Sequence, residues 1–97
     1  MKTPTNINIT ISGNNVTVTW TLPGESETYT YLHFYSSGRR EKHDVPTKII
    51  YKYITPPNSS YTVTLESCKK YRLDMQCVYP NGKRSEKGKT TFWVTGK

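Results

Sequence analysis

An antiparallel β-sandwich of seven short strands is the fold class this sequence predicts, on three observations. Apolar residues alternate with polar ones at period two, as in Val16, Val18, Trp20 and Leu22, the spacing of a strand with one buried face. Turn-forming clusters interrupt the alternation about every 8–12 residues. Apolar residues nowhere recur with the helical period.

The first strand carries Ile7, Ile9 and Ile11 between Asn6, Asn8 and Thr10, and Ser12-Gly13-Asn14-Asn15 supplies turn chemistry after it. Val16 to Leu22 is the cleanest alternation, with Trp20 as the largest core anchor. Pro23-Gly24 ends it, because proline has no N–H to give to a ladder. Thr28 to Ser36 forms a third strand of ambiguous facing. Leu32 and Phe34 inward gives the more apolar core, whereas Tyr31, His33 and Tyr35 inward buries the tyrosine bodies. A charged loop follows from Ser37 to Asp44, then a strand over Thr47–Ile54 that stops at Pro56-Pro57-Asn58.

The most informative stretch runs from Leu65 to Tyr79. Tyr61, Val63 and Leu65 close one alternation, a polar turn intervenes, and Tyr71, Leu73, Met75 and Cys77 open another, with Arg72, Asp74 and Gln76 facing outward. A tyrosine at the start of the second run suits a corner, its ring in the core and its hydroxyl on the turn backbone. Pro80-Asn81-Gly82-Lys83 is a hairpin signal, since Asn-Gly accepts positive φ cheaply. Thr90 to Thr95 makes the last strand.

Ninety-seven residues suit one small domain spanning 1–97, and no run approaches the roughly 20 apolar residues of a membrane span. Met1-Lys2-Thr3-Pro4 lacks the apolar stretch of a secretion signal. A cytosolic start and a domain excised from a larger multidomain protein both fit; the excised domain is the expectation. Charge is uneven. Residues 1–36 hold one base and two acids, and residues 37–97 hold thirteen bases and five acids. That asymmetry fits either solubility or a basic face for an acidic partner or a sulfated glycan.

The two cysteines are expected to stay apart. Cys77 lies six residues up a strand from Tyr71, roughly 20 Å, with Cys68 left behind at the turn, a separation beyond disulfide reach. Cys77 is expected to be buried; a bond from Cys68 to a neighbouring domain stays open. Unpaired cysteines argue against secretion. Three N-glycosylation triplets, at Asn8, Asn15 and Asn58, argue for it.

On these residues the chain resembles a fibronectin type III domain over nearly its whole length. The second-strand tryptophan of that family falls on Trp20, and its third-strand tyrosine pair on Tyr31 and Tyr35. Its leucine, corner tyrosine and following small residue fall on Leu65, Tyr71 and Cys77. The chain departs from the pattern in lacking Pro-Gly before Tyr71, in having Cys at the small position and in carrying His33 where an apolar residue is usual. The resemblance implies sheets A-B-E and C′-C-F-G, with strands lettered in chain order and C′ the fourth. Neither an integrin-type Arg-Gly-Asp nor a cytokine-receptor Trp-Ser repeat occurs.

Under that arrangement the outward positions of A, B and E are neutral and hydroxyl-rich: Asn8, Thr10, Thr17, Thr19, Thr21, Thr62 and Thr64. The other sheet and its loops gather Arg39, Arg40, Lys42, Lys48, Lys52, Arg72, Lys83, Arg84, Lys87 and Lys89. Trp93 points outward among them if Phe92 and Val94 are core; a one-residue shift in register exposes Phe92 instead. The candidate partner-binding residues are therefore Arg72, Lys83, Arg84, Lys87, Trp93, Arg39 and Arg40, since tryptophan and arginine dominate binding energy at interfaces.

No catalysis, cofactor or metal is expected. His33 and His43 make no convincing metal pair, the cysteines lack zinc spacing, and no acidic pair, activated nucleophile or phosphate-cradling loop occurs. No nucleic-acid-binding module is present either. The function expected is a recognition or adhesion module of a cell-surface or secreted protein, binding a protein partner through the C′-C-F-G face or the Asn81–Lys89 loop. A passive spacer in a multidomain protein, such as a secreted carbohydrate-active enzyme, and a sulfated-glycan-binding module are the alternatives.

Overall fold

The computed structural model describes residues 2–36 and 49–95. Among them seven strands follow in order: β1 (Thr5–Ser12), β2 (Asn15–Thr21), β3 (Tyr29–Ser36), β4 (Ile49–Ile54), β5 (Ser60–Thr64), β6 (Lys69–Val78) and β7 (Gly88–Val94). They form a three-stranded sheet, β1-β2-β5, and a four-stranded sheet, β4-β3-β6-β7. Every pairing is antiparallel. This is the A-B-E and C′-C-F-G sandwich expected from the sequence.

Alternation sets what each sheet buries. Val16, Val18 and Trp20 enter the core from β2, Tyr71, Leu73, Met75 and Cys77 from β6, and Phe92 and Val94 from β7. The facing of β3 is settled by its pairing. Leu32 stands opposite Met75 and Phe34 opposite Leu73, all four fully buried, so Tyr31, His33 and Tyr35 lie on the outer side. Register shift is excluded at β7 as well, because Tyr71 pairs with Phe92 and Lys70 with Trp93.

The corner forms as anticipated. The Tyr71 ring is fully buried and stacked on Phe92 at 6.0 Å, and its hydroxyl accepts the Glu66 N–H at 3.1 Å. Burial raises the Tyr71 phenol above its usual range, against the smaller opposing effect of that N–H. Leu65 is held beside it by Asn14, whose carbonyl accepts the Leu65 N–H at 2.9 Å and whose side-chain amide donates to the Leu65 carbonyl at 2.8 Å. Cys68 takes φ of 61° to complete the turn and is exposed, while Cys77 is buried; both thiols are free. Burial pushes the Cys77 thiol up to about 11, so it stays protonated as a small apolar filler.

Several details differ from the sequence reading. The fourth strand is described from Ile49; Thr47 and Lys48 lie outside the described residues, as do Arg39, Arg40, Lys42, His43 and Asp44. The last strand begins two residues early, at Gly88. A side chain there would meet Ile7 Cδ1 at 3.1 Å and Thr3 Cγ2 at 3.3 Å, so β7 can pass the first strand closely. Asn81-Gly82 does make a tight turn, with Gly82 at φ 83°. That turn is the tip of a longer loop, since regular β6–β7 pairing begins only at Met75 and Gly88. Lys52 is not on the outer face: it stands opposite Leu32, and its ammonium lies 5.8 Å from the Tyr61 ring centre at the open edge of the sandwich.

Two substitutions test this core by denaturant unfolding. Trp20→Ala should lose about 3–5 kcal/mol through the cavity it leaves. Tyr71→Phe should lose about 1 kcal/mol, with the ring kept and the Glu66 N–H orphaned; a stability equal to wild type would show that the hydroxyl contributes nothing.

Candidate functional site

The outer face of the four-stranded sheet is built from odd-numbered residues of β3 and β4 and even-numbered residues of β6. Cross-strand register arranges them in rows. Tyr53, Tyr31 and Gln76 form one row, Tyr51, His33, Asp74 and Lys89 the next, and Tyr35, Arg72 and Thr91 a third. Lys70 and Trp93 extend the face beyond them. Opposed residues across antiparallel strands come close enough for their side chains to touch.

The first two rows are an aromatic platform. Tyr31 meets Tyr53 at 4.9 Å and Tyr51 at 6.2 Å between ring centres, and Tyr29 meets Tyr53 edge-on at 5.7 Å. His33 sits in the middle, 4.7 Å from both Tyr35 and Tyr51. Its Nε2 is buried with no hydrogen-bond partner among the described residues. Burial holds the His33 pKa below its usual value, against the opposing pull of Asp74.

Two arginines cover this platform and do different things. Arg72 lies 4.6 Å over Tyr35 and gives Nε and Nη2 to the two carboxylate oxygens of Asp74, at 3.1 and 3.2 Å. The Tyr35 hydroxyl donates to the same carboxylate at 3.0 Å, and Lys87 Nζ approaches to 3.9 Å. Asp74, expected as an outward surface residue, is therefore only 3% exposed although it sits on the outer side. Long neighbours on β3 and β6 and the following loop bury it. Arg84, exposed on the β6–β7 loop, lies 4.6 Å over Tyr31, with its Nη2 donating to the Tyr53 hydroxyl at 3.0 Å.

The loop that presents Arg84 is well tied. Arg84 bridges to Val78, the Ser85 N–H donates to the Cys77 carbonyl, and the Ser85 hydroxyl accepts the Cys77 N–H at 2.9 Å. Gln76 Nε2 donates to the Ser85 carbonyl at 2.7 Å. Ser85 is consequently buried, a role the sequence does not announce.

Of the candidates named from sequence, Arg72, Arg84, Lys87 and Trp93 share this face, Lys83 is exposed at the loop tip, and Arg39 and Arg40 lie outside the described residues. Trp93 is outward and 59% exposed. The tyrosines were not among the candidates. Their signal was present in aromatic residues at alternate positions of two strands that pair with each other. Asn8, Asn15 and Asn58 are all exposed, the first two on the three-stranded sheet; Asn15 Oδ1 accepts the Thr64 hydroxyl.

No protein-family model matches the sequence, and no curated protein sequence matches it. Solved structures do. The fibronectin type III domain of the human collagen alpha-1(XX) chain is 21% identical, with a TM-score of 0.79 over 99% of this chain and 87% of that one. The third fibronectin III domain of human KIAA0343 protein is 13% identical, with a TM-score of 0.80 over 100% of this chain and 84% of that one. A computationally redesigned β-sandwich protein is 24% identical, with a TM-score of 0.81 over 100% and 93%. The chain therefore has the fibronectin type III fold.

The two arginines should separate by stability. Arg72→Ala leaves the Asp74 carboxylate buried without its main partner and should cost about 2–3 kcal/mol. Arg84→Ala removes an exposed cation–π contact and should cost about 1 kcal/mol or less. Equal losses by chemical unfolding would contradict this division.

His33 supplies a pH test. Its folded-state pKa lies below the 6.5 of the unfolded chain, so the unfolded chain binds the proton first. Stability is then full above about pH 6.5 and falls as pH drops below it. The His33→Phe variant should lose that part of the slope; identical wild-type and variant curves between pH 7 and 5 would remove the effect.

Proposed function

We propose that this domain is a non-catalytic recognition module, one of several in a cell-surface or secreted protein, which binds a protein partner through the outer face of β4-β3-β6-β7. One observation carries the reading. Among the described residues all four large exposed hydrophobic side chains, Tyr29, Tyr51, Tyr53 and Trp93, fall on this single face. Protein interfaces are enriched in tyrosine, tryptophan and arginine, which this face combines, and depleted in acids, of which its one example among the described residues is buried. A passive spacer has no need of such a surface.

The opposite sheet supports the assignment by contrast. It exposes threonine and asparagine, with Thr17 and Thr62 hydroxyls 3.0 Å apart and Thr64 bonded to Asn15. Glycans on Asn8 or Asn15 would decorate that side and leave the aromatic face clear. The sequons are the support for an extracellular setting.

The test is a binding screen of the multimerised domain against a panel of extracellular protein domains. Any partner found is then re-measured with Tyr51→Ala/Tyr53→Ala and with Thr19→Lys/Thr62→Lys. Loss of binding, about tenfold or more, with the tyrosine pair alone is expected. Loss with the threonine pair alone would place recognition on the other sheet, and retention of binding by both variants would place it outside either face.

A further inference from the structure

Charge on the proposed binding face is unevenly available, and this points to the chemistry of the partner. Arg72 has two of its donor nitrogens on Asp74, so its fork is spent within the domain. Arg84 is held as firmly, though by groups that carry no charge. Its guanidinium lies on Tyr31, one nitrogen is bonded to the Tyr53 hydroxyl, and its loop is fixed at Val78, Cys77 and Gln76. Among the described residues no carboxylate pairs with it. The remaining N–H donors of a planar fork match a carboxylate bidentately, and the aromatic base has already removed much of the rotamer freedom that binding would otherwise have to freeze.

We infer that Arg84 is the anion receptor of the face and that the partner is an acidic protein segment that places an Asp or Glu carboxylate on it. This rests on the reading of the face as a protein-binding surface and names the partner's chemistry. Charge complementarity favours it: Lys83, Lys87 and Lys89 are exposed around Arg84 and Asp74, and the only acid on the sheet face among the described residues is neutralised by Arg72. An acidic protein segment fits better than a sulfated glycan. Among the described residues one guanidinium is open rather than a row of them, and the surrounding surface is exposed aromatic rings that match apolar side chains.

The experiment uses the intact 15N-labelled domain and three probes: a decapeptide of alternating Glu and Tyr, the same peptide with Gln for Glu, and a heparin hexasaccharide. The Arg84 side-chain Nε–H resonance, assigned by its loss in Arg84→Lys, reports on the site. The Glu peptide should shift it saturably and the Gln peptide should not. Arg84→Lys, which keeps the charge but loses the fork, should weaken the Glu peptide about tenfold or more. Lys83→Gln, which removes a charge from the rim, should weaken it by only about threefold or less.

Equal affinity of wild type and Arg84→Lys would overturn the assignment, since a point charge would then suffice. So would a Gln peptide that shifts the resonance equally, or a heparin fragment as the sole probe that does. If the Glu peptide fails while a protein partner is still lost with Tyr51→Ala/Tyr53→Ala, the receptor role falls and the binding face stands.

Discussion

Strand β3 is packed on both sides, and the rest of the structure depends on that double packing. Inward, Leu32 and Phe34 meet Met75 and Leu73 with none of the four exposed. Outward, Tyr31, His33 and Tyr35 form the spine on which the tyrosines of β4 and the arginines of β6 and its loop lie. A central strand is rigid because its backbone donors and acceptors are used by neighbours on both edges. The aromatic platform inherits that rigidity. A recognition surface built on such a strand needs less ordering on binding than one built on loops alone.

The features visible in the sequence are those written at period two beside an unambiguous polar face. Val16, Val18 and Trp20 between threonines, and Tyr71, Leu73, Met75 and Cys77 after a polar turn, each permit one inward set. Their strands and the corner follow from that, whereas the facing of Trp93, open between two registers in the sequence, is set by the pairing of Tyr71 with Phe92. In β3 both alternate sets are apolar enough to be core, so periodicity cannot choose; register against Leu73 and Met75 does. Lys52 is exposed on the four-stranded sheet, as expected, but not on its outer side. It sits on an inward parity, but an edge strand lets a long side chain leave the core and lie along Tyr61.

Burial of Asp74 was illegible for a different reason: it depends on groups far apart in the chain. Tyr35 comes from another strand, Lys87 from the loop beyond, and only Arg72 is a sequence neighbour. Arg72 and Arg84 look alike in the sequence as basic residues among polar ones. What separates them is that one faces a carboxylate two residues away on its own strand, while the other reaches Tyr53, 31 residues distant in sequence. Tertiary contact decides which arginine is structural and which is available.

That separation changes how the surface should be interpreted. Arg72 is outward by parity and has the composition of a binding residue, yet its hydrogen bonds secure a carboxylate that the fold has buried. Removing it therefore perturbs the sheet as well as the face, and a loss of binding there would mix the two effects. Arg84 stands on the same platform without that obligation. Its neutral partners orient it and, among the described residues, leave its charge uncompensated, which is the condition under which an arginine can give directional hydrogen bonds to another molecule. The chemistry of this face is thus set less by how many bases it carries than by which of them the domain has already used.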